Sequence, residues 1–160
     1  MAKKRNVWEA FVRRLYYKYF SQNILYELQI RARNEAVDYV QKNMNDAVIF
    51  EGQREIIKYA IKNCRQRGNF LEFGVATGRS INTIASFTPN DTKVYGFDTF
   101  EGLPEDWAGH NAVSGTFKQA RLPKVLNNVV LIKGLFENTL PSFREQAIEN
   151  ISFCHIDCDL

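Results

Sequence analysis

Two clusters of residues in this 160-residue chain could do chemistry. The first is Glu72-Phe-Gly74-Val-Ala-Thr77-Gly78-Arg-Ser80, with Asp98 twenty residues beyond Gly78. Gly74 and Gly78 permit the unusual backbone angles and close ligand approach of a binding turn. A helix opening after Gly78 would offer free N–H groups and a positive dipole end to an anion. A carboxylate at Asp98 could accept hydrogen bonds from both hydroxyls of a ribose. The second cluster is Cys154-His155-Ile-Asp157-Cys158-Asp159. Its thiols, imidazole and carboxylates are the groups of proton transfer and metal binding.

These groups need elements to position them. Asn69 to Gly74 is a short apolar run ending in glycine, and Lys93 to Asp98 is another. Val129 to Ile132 and Ile151 to Ile156 complete four strands. Between them, Ile81, Ile84 and Ala85 mark one face of a helix over 78–87. Residues 140–149 read as a second helix, and Val125-Leu126 as part of a short one. Strand–helix alternation predicts an α/β fold, a doubly wound parallel sheet with helices on its faces. The strands lack polar alternation, which fits burial on both faces. Both clusters then fall at the C-terminal strand ends, where open α/β sheets bind ligands.

The glycine spacing bears on the ligand. Dinucleotide sites favour Gly-x-Gly-x-x-Gly, whereas this loop reads Glu-x-Gly-x-x-x-Gly. That fits a smaller anion such as an amino-acid carboxylate. Glu72 would repel a pyrophosphate and welcome an ammonium or a sulfonium. The competing reading is a structural strand–helix turn with an exposed Asp98.

The chain before the first strand differs in character. Residues 1–33 carry eight Lys/Arg and two Asp/Glu, a net +6, whereas residues 34–160 carry a net −3. Val7, Phe11, Leu15 and Tyr19 recur every four residues, with Arg13, Arg14 and Tyr17 on the other side. This predicts an amphipathic helix that packs on protein, including a second subunit as a homo-oligomer. The alternatives are a membrane surface or nucleic acid. A further helix is expected over 51–65, closed by Gly68. The expected division is a helical arm, 1–50, and a binding domain, 51–160. Apolar residues make up 45% and no long uncharged apolar stretch exists, which excludes general disorder and a membrane span. Three cysteines and the lack of a signal-peptide pattern suit a reducing, cytoplasmic setting.

Leu71 to Ser80 resembles motif I of the class I S-adenosylmethionine-dependent methyltransferases. Val94-Tyr-Gly-Phe-Asp-Thr-Phe-Glu-Gly-Leu-Pro104 resembles the macrocin O-methyltransferase family, metal-dependent enzymes that methylate sugars. Asn128 to Pro141 and Ile151 to Leu160 fit the same family. The resemblance implies a Rossmann-like sheet, S-adenosylmethionine as cofactor, Mg²⁺ assistance and a small-molecule hydroxyl acceptor. It places Gly74, Thr77 and Gly78 in the cofactor loop, Glu72 near the methionine amino group and Ser80 near its carboxylate. It gives Asp98 the ribose hydroxyls, and sets Thr99 and Phe100 beside ribose and adenine. Gly134 to Phe136 would lie by the adenine. Asp157 would be the catalytic and first metal-ligating aspartate, with Asp159 near the substrate. Family members continue past the fourth strand with further metal carboxylates, so the sequence reads as truncated after Leu160.

Other readings stay open. Zinc would need about four ligands, but on a strand Cys154 and Cys158 face away from His155 and Asp157, leaving Cys64 and His110 elsewhere. His155 reads foremost as a hydrogen-bonded strand residue. The loop from Thr99 to Lys118 is either a lid over the site or a surface excursion with Leu103 and Trp107 packed down. An NAD(P)-dependent oxidoreductase and a non-enzymatic, cofactor-binding remnant are the competing functions. Edge exposure of the fourth strand would promote self-association.

Overall fold

The computed structural model describes residues 7–20, 23–89, 91–108, 112–146 and 150–158. His110 and Asp159 lie outside these residues. The chain forms two compact units, Met1–Ile49 and Phe50–Leu160.

The first unit holds α1 (Val7–Tyr19) and α2 (Ile24–Asn43). Asn23 caps α2, its side-chain oxygen accepting the N–H groups of Leu25 at 3.0 Å and Tyr26 at 3.3 Å. The Phe20 and Tyr26 rings meet edge-on at 5.1 Å and join the two helices. The stripe of Phe11, Leu15 and Tyr19 lies on α1, and no residue of either helix is buried. No helix among the described residues is long and apolar enough to cross a membrane.

The second unit runs α3 (Gln53–Lys62), β1 (Asn69–Phe73), α4 (Arg79–Phe87), β2 (Val94–Asp98), β3 (Val129–Lys133), α5 (Phe136–Gln146) and β4 (Ile151–Ile156). The four strands form one parallel sheet in the order β3-β2-β1-β4. This is the expected Rossmann-like α/β arrangement. One face of β1 and β2 packs on α3 and α4 through Ile57, Phe70, Ile81, Ile84 and Val94. The other face packs on α5: Phe143 meets Tyr95 at 4.9 Å and Phe97 at 5.1 Å, and Phe136 meets Phe73 at 5.4 Å.

Burial on both faces holds for the central β1 and β2 only. β3 and β4 flank them as edges of the described sheet, with Ile156 70% exposed. Two helix expectations are corrected. Val125 and Leu126 lie outside any helix, in a segment whose backbone the Asn82 side chain holds: it donates to Lys124 O at 2.9 Å and accepts from Leu126 N–H at 2.9 Å. The helix expected over 140–149 starts at Phe136, so Pro141 falls inside it. Aromatic anchors on both sides of Pro141 hold the helix through that break, at the cost of one backbone bond.

Candidate functional site

The site begins where β1 stops. Gly74 turns the chain at φ +88, and its N–H donates to Phe97 O at 2.9 Å. A Cβ there would collide with the Asp157 carbonyl at the end of β4, so only glycine lets the two strand ends close up. Ala76 also sits at positive φ, +44, which is uncommon outside glycine. Gly78, at φ +80, precedes α4 and leaves the first turn of that helix without a side-chain cap.

What holds this strained loop is Asp98. Its Oδ2 accepts the N–H groups of Val75 and Ala76, both at 2.8 Å, and its Oδ1 accepts that of Phe100 at 2.6 Å. The tip of β2 is thus tied to the loop after β1. Sequence reasoning reserved Asp98 for a ligand and missed this structural duty. A carboxylate offers about four acceptor positions, so three backbone bonds leave about one open.

A cavity of about 650 Å³ opens at these strand ends. Seven of the expected residues line it: Gly74, Thr77, Ser80, Asp98, Thr99, Phe136 and Asp157. Gln53, Arg79 and Leu135 join them; Arg79 and Leu135 fall inside the stretches that carry the resemblance, whereas nothing in its sequence context marks Gln53. The remaining expected residues lie elsewhere. Phe100 is 2% exposed, because its left-handed backbone (φ +57), gripped by Asp98, sends the ring into the core beside α4. Gly78 backs onto Pro123 and Val125. Gly134 donates its N–H to Asp98 O at 3.0 Å, and the wall at that point is its neighbour Leu135.

Glu72 lies below the cavity, fully buried on β1. Its Oε1 pairs with His155 Nδ1 at 2.8 Å across the β1–β4 ladder, so His155 is a hydrogen-bonded strand residue. Its Oε2 has no partner, the one such buried side-chain oxygen or nitrogen among the described residues. Desolvation pushes the Glu72 carboxyl above the ordinary range and the nearby Asp157 charge adds to it, while Ser80 and His155 pull the other way.

The loop after β2 is internally braced. Leu103 exchanges backbone hydrogen bonds with Thr116 and Gly115, at 2.9 and 2.8 Å, and is buried. Leu103, Pro104 and Phe117 also line the cavity, so the packed-down excursion is at the same time one wall of the site. Glu101 clasps its base, 2.7 Å from Lys118 and 2.8 Å from Lys133 at the end of β3. These two ammonium groups lower the Glu101 pKa to about 2.

The described residues do not suit a magnesium cage. They contain no group of three or more His, Cys, Asp or Glu placed to hold a metal, whereas Mg²⁺ requires near-octahedral oxygen donors. Cys64 and Cys154 are free thiols raised in pKa by burial, which makes them weaker nucleophiles.

A family model described as a methyltransferase domain matches residues 71–160. No curated protein and no solved structure matches the chain. The matched span covers more than half of the sequence and takes in the glycine loop, Asp98, the braced loop and Asp157. With that span, the chain belongs to the methyltransferase-domain family.

Proposed function

We propose that the cavity binds S-adenosylmethionine and that the chain transfers its methyl group to a hydroxyl of a small molecule, a sugar or a related compound. The observation that carries this reading is the glycine loop pinned by Asp98 above a buried Glu72 with one unsatisfied oxygen. An adenosyl amino acid fits such a set. One of its ribose hydroxyls takes the open acceptor position of Asp98, and its ammonium takes Glu72 Oε2. Its carboxylate suits the uncapped start of α4 beside Ser80.

When bound, the cofactor supplies an electrophilic methyl carbon on a sulfonium sulfur. The residues of the chain hold the reactants in line and keep water out, which is where most of the acceleration in such a displacement arises. The new O–C bond forms as the S–C bond breaks, and the acceptor proton must leave. Asp157, exposed on the cavity wall, receives it at a carboxylate oxygen. Leu103, Pro104 and Phe117 close the apolar side of the chamber. No step is assigned to a metal.

The test is methyl transfer from labelled S-adenosylmethionine to a panel of sugar and other hydroxyl acceptors. Asp157→Asn should lower turnover by roughly 10²–10⁴-fold, the usual share of a general base, and leave cofactor binding unchanged. Cofactor binding without transfer to any acceptor would favour a non-enzymatic, cofactor-binding protein. Binding of NADH in its place would favour an oxidoreductase.

A further inference from the structure

Glu72 and His155 stand opposite each other on β1 and β4, and their side chains share the face that packs toward α4. Glu72 is 0% exposed, yet one of its two oxygens has no partner. A buried carboxyl oxygen without a donor is costly and calls for an explanation. Its neighbours Ser80 and Asp157 line the cavity, so the Glu72 carboxyl lies beside the cavity without being one of its lining residues. The chain therefore keeps an acceptor in reserve at that point. Ser80 and His155 both act on this carboxyl, and the contact that singles out one of its oxygens is the one from His155. The His155 ring is held in strand β4 and its Nδ1 engages Oε1 at 2.8 Å.

We propose that His155 is the positioning residue for Glu72: by occupying Oε1 it fixes the carboxyl plane and leaves Oε2 as the acceptor for a primary ammonium in the cavity. His155 does not touch the ligand. It acts through Glu72 and makes the site selective for a ligand with a free α-amino group over the same ligand without one. The inference rests on the cofactor reading above and adds to it the residue that sets the selectivity. The loop backbone supplies no such preference, because the N–H groups of Gly74, Val75 and Ala76 are already engaged by Phe97 O and Asp98.

The test is calorimetry on the full chain with two ligands, S-adenosylhomocysteine and its des-amino analogue. The parent chain should bind the amino form tighter by roughly tenfold or more, the ratio expected of a charge-assisted hydrogen bond. His155→Ala should erase that ratio by weakening the amino form alone. His155→Asn, whose amide nitrogen sits near the Nδ1 position, should restore it. His155→Gln keeps polarity and bulk but reaches the Nε2 position instead, and should not. Should His155→Ala fail to fold, the Asn and Gln pair decides the matter. Equal weakening of both ligands in the variants would make His155 merely structural and overturn the proposal. An unchanged ratio in His155→Ala or His155→Gln would overturn it as well. A parent chain that binds neither ligand would overturn the cofactor reading itself, a separate result.

Discussion

The carboxylate of Asp98 accepts the backbone N–H of Ala76 at 2.8 Å, across twenty-two residues of chain. Ala76 is the strained residue of the loop, at φ +44, and Asp98 is the group that holds it there. The two make the loop a built structure before any ligand arrives. Binding then costs less ordering than it would for a slack loop.

Removing that anchor should therefore cost both stability and affinity. Asp98→Ala loses three charge-assisted hydrogen bonds to backbone donors. The expected destabilisation is about 2–3 kcal/mol, allowing for water at the partly exposed site. Urea denaturation of the purified variant measures it. A midpoint equal to that of the parent chain would show that the loop holds its shape without Asp98.

Gly74→Ala tests the closure of the two strand ends. The new methyl group meets the Asp157 carbonyl, and the backbone must stay at φ +88. A loss of at least about 2 kcal/mol is expected, because strain and collision add. The same substitution at Gly115 meets nothing within 4 Å and pays only for its φ of +78. Thermal melts should rank Gly74→Ala well below Gly115→Ala.

Glu72 sets a pH dependence. Burial raises its folded pKa above the unfolded value, so the native state binds more protons than the unfolded state in that window. Stability of the ligand-free chain should fall as pH rises from the ordinary carboxylate range through the raised pKa. Glu72→Gln should flatten this fall and stabilise the ligand-free chain above it, on the order of 1 kcal/mol. The same change should abolish selectivity for an ammonium-bearing ligand. Melting temperatures measured from the ordinary carboxylate range upward in pH check the sign.

The Glu101 clasp should respond to salt and acid. Its ion pairs are exposed, so screening weakens them. With its folded pKa lowered to about 2, the clasp is intact above the ordinary carboxylate pKa. It is lost as pH falls from there toward 2. Glu101→Gln should expose the braced loop. Limited proteolysis at low ionic strength should cut it near Trp107 faster than in the parent chain, and bound S-adenosylhomocysteine should slow the cut in both. Equal cutting in every sample would separate the loop from the site.

Much of this was legible in the sequence, for physical reasons. Phe70, Leu71, Val94 and Phe97 announce buried strands because they are apolar without alternation, and both constellations fall at strand ends by spacing alone. The limits are equally specific. The helix expected over 140–149 begins a turn earlier, at Phe136, and Phe136 and Phe143 anchor it on β1 and β2 on either side of Pro141. Asn82 replaces a helix at Val125 with two side-chain bonds that no local pattern encodes. Phe100 follows the sequence of a cofactor-flanking residue, but a positive φ turns its ring into the core. The Glu72–His155 pair spans eighty-three residues and becomes visible only when β1 and β4 lie side by side. Its orphaned oxygen is a feature of packing, which composition does not carry.

The central claim is that the cavity at the tips of β1 and β2 is a cofactor site, and calorimetry with S-adenosylhomocysteine tests it most directly. The account predicts saturable, one-to-one binding by the full chain, unchanged by a metal chelator and weakened at least roughly tenfold in Asp98→Ala. A folded chain that binds no S-adenosylhomocysteine, or an Asp98→Ala variant that binds it as tightly as the parent, would contradict it.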